Sequence, residues 1–389
     1  MMTKNLLFVF LGFTIAGLPG CSKPAKERAP LLARLQMEDS IRVNYEGILD
    51  LMDIDPTRNR ILLHDPQRGV ILLTDFSGTH LETMEKRGDS RDSYGSFPWT
   101  PAKFLENGHF FLIGVKGYQE FEPNGRLMRA VPFASKEIPS FSGRAAADNP
   151  VARLGSEYII RGITAWGEFT KAEPAYYDNF QLLARINPKL GTVERFLHLA
   201  QESLFKNGRA YDVTEMMPSF ALHGDTLYVT VGTDPNLYIY RMNTDVEPIT
   251  TRKMEHTSFN PGQGKAPAEA DVKAIAVDWS AGRTRSLTLM DTLLLACYHP
   301  GFDPVDRERY LNLDRDYSEF MAEMEAKYPN RLLVMNLEGK RLADIAIPPQ
   351  LDYRQLLYKD GKLWFLSRFN KDREEDFVQL YKVRLHLEN

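Results

Sequence analysis

The chain has 389 residues, 43% hydrophobic and 26% charged, with 48 basic and 52 acidic side chains for a formal net charge of −4. That much apolar surface excludes a disordered chain and supports a substantial core. The lack of a basic excess excludes nucleic acid as a partner on charge grounds, and no block of like charge reads as an interaction tail.

The chain opens with Lys4, an apolar run over residues 6–18, and then Pro19-Gly20-Cys21. A short basic segment, an apolar segment and a small residue before a break describe an export signal over residues 1–20. The run is too short for a membrane-spanning helix. Leu18, Gly20 and Cys21 resemble the lipobox of bacterial lipoprotein signals, although Pro19 departs from its pattern. The resemblance implies that Cys21 is acylated and becomes the first residue of the mature protein. The other reading is an ordinary signal peptide with an incidental cysteine. Residues 21–39 carry Lys23, Pro24, Lys26, Arg28 and Pro30 without any period, and are expected to form a membrane tether. The second cysteine, Cys297, sits in an apolar run at 293–298 and reads as a core hydrophobe in a buried strand.

A short strand is expected at 40–44, and then a regular meander begins. Strands at 48–52, 60–64, 70–75 and 80–84 are separated by turns holding Asp55-Pro56, Asp65-Pro66 and Ser77-Gly78. These pairs fix or relax φ where the chain must reverse. The layout recurs. Strands are expected at 102–105, 109–114, 118–121 and 126–132, with turns at Asn107-Gly108 and Asn124-Gly125. Asn-Gly is a strong hairpin signal because both residues tolerate positive φ. A third set falls at 151–154, 158–161, 179–186 and 192–197. A fourth falls at 219–222, 226–231, 237–242 and 249–254, and a fifth at 272–278, 291–298, 331–336 and 341–347. The last set, 353–358, 363–368 and 377–383, runs out of chain one strand short, and the spare piece at 40–44 is expected to complete it.

The fold expected is all-β: a six-bladed β-propeller of four-stranded antiparallel blades over residues 40–389, with a short helical insertion in blade five. The lipobox-like start and the six degenerate blades together resemble exported propeller lipoproteins of Gram-negative bacteria, the TolB-like and NHL-like group. That resemblance implies a lipid-anchored protein of the cell envelope, at the outer membrane, and it supplies no active-site residue.

In such blades the turns between strands one and two and between three and four share one face. The remaining connections share the other face. The long segments, 85–101, 133–150, 162–178, 200–209, 256–271, 299–330 and 369–376, all belong to the second class. Long loops on a rigid scaffold carry function. Candidate partner- or ligand-binding residues on them are Trp99, Trp166, Phe169, Tyr176, Tyr177, Arg307 and Tyr310, with Arg161, His299 and Arg368 at the ends of second strands as a cationic cluster for a carboxylate or phosphate. The alternative for each aromatic is packing of its loop onto the propeller. A helix is expected after Asp316, which stands three residues before Glu319 in a capping-box spacing. Its apolar stripe of Tyr317, Phe320, Met321, Met324 and Tyr328 is expected to dock, and Pro329 ends it. The charged run 303–316 reads as a solvated segment rather than a calcium loop, for it lacks the EF-hand glycine and terminal glutamate.

No G-x-S-x-G, P-loop, G-x-G-x-x-G, H-E-x-x-H or C-x-x-C motif occurs. No cofactor or metal is indicated. The function expected is a binding or scaffold protein that holds an envelope protein or a glycan on its long-loop face. The competing reading is an exported hydrolase or lyase acting on a glycan, lactone or peptide, with a calcium ion on the axis.

Overall fold

The middle strands of each repeat are apolar at nearly every position, and this dictates the architecture. In a strand, successive side chains point to opposite faces, so a continuous apolar run must be covered on both sides. The computed structural model describes residues 31–134, 144–163, 167–242, 247–314, 316–369 and 375–388. Its strands form six four-stranded antiparallel sheets, each covered by its two neighbours.

The chain starts with β1 (Leu32–Asn44). Blade one follows as β2 (Asp50–Asp55), β3 (Arg60–Asp65), β4 (Val70–Asp75) and β5 (His80–Glu85). Blade two is β6 (Lys103–Phe104), β7 (Phe110–Gly114), β8 (Gly117–Phe121) and β9 (Leu127–Val131). Blade three is β10 (Ala152–Leu154), β11 (Glu157–Arg161), β12 (Gln181–Ile186) and β13 (Val193–His198), with helix α1 (Pro174–Asp178) between its second and third strands. Blade four is β14 (Pro218–His223), β15 (Thr226–Val231), β16 (Asn236–Arg241) and β17 (Thr250–Lys253). Blade five is β18 (Arg283–Met290), β19 (Leu293–His299), β20 (Arg331–Asn336) and β21 (Arg341–Ala346), with α2 (Pro304–Leu311) and α3 (Tyr317–Lys327) inserted after β19. Blade six is β22 (Leu351–Lys359), β23 (Lys362–Ser367) and β24 (Phe377–Glu388), and β1 is its outermost strand.

Alternation within β3 shows how the blades pack. Ile61 and Leu63 join Ile41, Val43, Trp364 and Leu380 in the core between blades six and one. Leu62, between them, faces Phe110, Leu112 and Phe121 in the core between blades one and two. The same arrangement repeats around the ring, so the apolar mass lies between blades.

The closure expected from the spare strand is present, and it is longer than expected. β1 pairs with β24 from Leu32↔Glu388 to Asn44↔Phe377, with a bulge at Met37/Asp39. Residues 32–39, expected as tether, are therefore part of blade six, and the stretch ahead of the fold ends at Leu31. The remainder of that tether, the signal segment and Cys21 lie outside the described residues. Gly78, at φ 80°, lies against this strand; a Cβ there would collide with the Arg42 carbonyl oxygen.

Two expectations are corrected in and around blade five. Residues 272–278 alternate like a strand but form a loop, because its polar backbone groups are taken by side chains. Lys171 Nζ donates to the Ala274 carbonyl at 2.8 Å, Thr214 Oγ1 donates to that of Ala276 at 2.7 Å, and Asp212 Oδ1 accepts from Ala276 N at 3.1 Å. The first strand of the blade is β18, which a two-residue turn with Asp291 at φ 53° joins to β19. The charged run 303–316 is also not simply solvated. Asp303 caps α2 by accepting from Asp306 N at 2.9 Å. Asp306 is buried and accepts from Tyr328 Oη at 2.7 Å and from Lys327 and Arg309 at 2.5 Å. The helix expected after Asp316 is α3, whose cap accepts from Ser318 N and Glu319 N. Most of its stripe docks, with Phe320, Met324 and Tyr328 buried against Phe302 and Met321 partly so, while Tyr317 stays exposed.

Deleting residues 32–44 strips β24 of its partner and removes Ile41 and Val43 from an interblade core. The thermal midpoint is expected to fall by roughly 10 °C or more, measured by circular dichroism; an unchanged midpoint would show that β1 does not hold the ring closed.

Candidate functional site

Every blade directs its first strand toward the axis, and the connections expected to be long surround one end of it. There they enclose a cavity of about 950 Å³. Its wall is drawn from all six blades: Leu49 ahead of β2, Phe97 ahead of β6, Arg144 ahead of β10, Met217 ahead of β14, Trp279 ahead of β18, and Tyr353 in β22. The α3 insertion supplies one side through Tyr317, Met321 and Tyr328. This is the funnel of the long-loop face.

The floor is charged and cross-linked. Arg144 pairs with buried Asp50 through both nitrogens of its fork, the Nε contact being 3.2 Å. Gln355 Nε2 donates to the same carboxylate at 2.7 Å, and Gln355 Oε1 accepts from Leu51 N at 2.9 Å. Arg285 reaches Asp148 Oδ2 at 2.9 Å, joining β18 to the connection ahead of β10. Arg354 holds Asp352 in a bidentate pair at 2.9 and 2.8 Å. Burial works against the charge on Asp352, but the hydrogen bonds and charge of Arg354 outweigh it and hold its carboxyl below the usual range. For Asp50 burial wins, and its carboxyl is raised despite Arg144.

Each of these three carboxylates is matched by an arginine, which leaves Arg283. It is 7% exposed and lines the cavity. Its terminal nitrogen donates to the Asp278 carbonyl, and among the described residues it has no carboxylate partner. Asp278 gives its side chain to Arg307 instead, at 2.7 Å. Among the described residues Arg283 is thus the buried arginine of the wall that has no carboxylate partner. Around the mouth stand four aromatic rings, Phe97, Trp279, Tyr317 and Phe369, each 46–56% exposed. Exposed aromatics gathered at one opening mark a contact surface.

The structure distributes the expected site residues differently. His299 and Arg368 line the funnel. Burial, with Arg283 beside it, pulls the His299 imidazole down to about 4, so it is neutral at pH 7. Arg368 is paired with Glu325 at 2.5 Å. Arg161 is buried and spent on carbonyls, donating to Pro218 at 2.7 Å and Asp148 at 2.5 Å; burial lowers it to about 10. The expected cationic cluster of these three is thus not assembled. Arg307 is tied to Asp278. Tyr310 packs on Phe302 and Phe320 within the insertion. Trp99 is buried and stacks on Phe133 at 5.1 Å. Tyr176 and Tyr177 are buried and Phe169 partly so, in the core between blades three and four. These aromatics fasten loops to the propeller. Trp166 lies outside the described residues. Cys297 is fully buried, and burial lifts its thiol to about 12, as suits a core residue.

Sequence reasoning missed Arg144, Arg283, Arg285, Arg354 and Trp279. The available signal was position: three of the arginines start the first strands of blades five and six, where side chains meet the axis.

No protein-family model matches the chain, and no curated protein matches it. Among solved structures it is similar to a member of the DUF4221 family from Bacteroides vulgatus, with a TM-score of 0.62 and 11% identity over 91% of this chain and 99% of that one. It is also similar to a candidate exported protein of Bacteroides fragilis (TM-score 0.49, 11% identity, 92% and 95% covered). A third is a gluconolactonase of Xanthomonas campestris (TM-score 0.44, 9% identity, 90% of each chain). At such identity the first likeness speaks for the six-bladed fold alone. No helix among the described residues is long and apolar enough to cross a membrane.

One group beside the funnel titrates near neutrality. Glu215, next to Thr214 of the wall, is 6% exposed, and burial pushes its carboxyl up to about 7 against the hydrogen bond from Asp212 N at 3.0 Å. A raised folded-state value stabilises below the unfolded value near 4.5 and is lost as pH rises through about 7. Glu215→Gln removes that loss. The variant is expected to match the parent near pH 4 and exceed its stability at pH 8 by about 3 kcal/mol, measured by denaturant unfolding. Parallel pH profiles would contradict this.

Proposed function

We propose that this chain is an exported, lipid-anchored binding protein of the cell envelope that holds a ligand, a glycan or a protein segment, in its axial funnel. The funnel itself carries the reading. A concave site of about 950 Å³ with an apolar rim and a few convergent charges has the size and make-up of a small-ligand site. Loops on a rigid ring present it, and the cross-blade pairs of the floor hold it in shape before any ligand arrives.

The location rests on the export-like residues 1–20, on Cys21, and on the resemblance to TolB-like and NHL-like lipoproteins of the outer membrane. Chain direction adds support. β1 runs from Leu32 to Asn44 and then crosses into blade one on the funnel face, so Leu32 lies at the opposite face. Only residues 22–31 separate Cys21 from β1, a reach of at most about 35 Å.

Two measurements test this. Cys21→Ser is expected to move the protein from the membrane fraction to the soluble envelope fraction; unchanged membrane retention would remove the anchor from the account. In a screen of envelope glycans and peptides by thermal shift, a ligand at 100 times its Kd is expected to add about 2.7 kcal/mol of stability. Trp279→Ala, a rim residue with more than half its surface exposed, is expected to abolish that shift while melting like the parent. An undiminished shift would place binding elsewhere.

A further inference from the structure

The chemistry of the funnel narrows its ligand further, and this step rests on the reading of the funnel as a binding site. We propose that the funnel takes acidic saccharides, with the ionised group of one sugar seated on Arg283 and its ring faces on the aromatic rim.

Arg283 is buried, faces the cavity, and has no carboxylate among the described residues to neutralise it. Its neighbours do not supply one. His299 is neutral, and Arg285, which also lines the cavity, has its own partner in Asp148. Of the acids around this guanidinium, Asp352 is held by Arg354, Glu325 by Arg368 and Asp278 by Arg307; buried Glu215, raised to about 7, carries only part of a charge at neutral pH, and Glu375 of the wall makes no ion pair with Arg283. A guanidinium drawn out of water without a counter-ion is costly, and an incoming anion relieves that cost. Only one nitrogen of the fork is recorded on a carbonyl, which leaves donors for a planar or tetrahedral acid group.

The second part is shape. Trp279, whose ring lies 5.9 Å from the Arg283 guanidinium, stands with Phe97, Tyr317 and Phe369 around the mouth. Exposed ring faces offer flat apolar surfaces that suit the C–H faces of sugar rings. A simple inorganic anion would use Arg283 and leave the rim and most of the 950 Å³ empty. The acidic side chains of a peptide would bring charge but no ring faces of their own to meet four rings. An oligosaccharide with one acid group per few rings fills the volume and satisfies both features.

The experiment is calorimetric titration of the full chain, in detergent, with matched probes: a neutral galactose oligomer, the corresponding galacturonate oligomer, inorganic phosphate, and an acidic peptide of equal charge. Thermal melting of every variant checks folding. The galacturonate oligomer is expected to bind at least tenfold more tightly than the neutral one, and to weaken as salt rises. Arg283→Met is expected to abolish the preference and the salt dependence, and Arg283→Lys to keep the salt dependence at reduced affinity. If the neutral and acidic oligomers bind equally and Trp279→Ala removes both, the funnel is a binding site and the acid preference is wrong. If only the peptide or only phosphate binds, the saccharide class is wrong. If Arg283→Met binds the acidic oligomer like the parent, the anchor is wrong. If no probe binds, this inference and the proposed function fall together.

Discussion

The structure depends on one pairing, that of the first strand with the last. A six-bladed ring has no core at its centre; its apolar mass lies between neighbouring blades, and each blade needs two neighbours. Without β1, blade six would present β24 as an open edge. It would also lose Ile41 and Val43 from the contact with blade one. The β1–β24 ladder therefore supports more than its own blade, because the first strands meet around a common axis only when the ring is shut.

That axis explains why the site is polar at its floor and apolar at its rim. Residues at the starts of first strands converge there, too close together for bulky apolar side chains to pack on every side. Asp50, Asp148, Asp352, Arg144, Arg285 and Arg354 fill the space with matched charges, two of the pairs running between blades and the third within β22. Such pairs add little net stability, because desolvation consumes much of the attraction. The Arg144–Asp50 and Arg285–Asp148 pairs do fix the relative positions of blades one, three and five, Gln355 ties blade six to Asp50, and breaking one pair would strand its partner in a dry site. The loops above lie on this floor, and the rings they expose face a common opening. The same logic distinguishes Arg283 from the rest: it sits among matched pairs and is not part of one.

Most of the fold is legible in the sequence because turns are local. Asp-Pro, Asn-Gly and Ser-Gly pairs mark where strands end, and the apolar runs between them are covered on both faces. The asymmetry of loop lengths points to the face that holds the cavity for the same reason. Residues 272–278 mislead because alternation marks a strand only when its backbone finds a partner strand, and here Lys171, Thr214 and Asp212 take those groups. The site is much less legible. Trp99 lies in a connection between blades and Tyr176 and Tyr177 in the short helix α1, yet nothing local tells that they turn inward. Arg161 and Arg283 look alike as single arginines at strand ends. One is consumed by the carbonyls of Asp148 and Pro218 and the other faces a cavity, a difference that the residues beside each arginine do not encode. Convergence on an axis is a property of the closed ring, which no single repeat encodes.

The axial funnel is the proposed meeting place of this protein and its ligand. The most direct measurement is a crystal structure of the protein soaked with an acidic oligosaccharide. The account predicts sugar density inside the funnel, with a ring against Trp279 and the acid group within hydrogen-bond distance of Arg283. Density confined to the opposite face or to the outer blade edges, with the funnel holding only solvent, would contradict it.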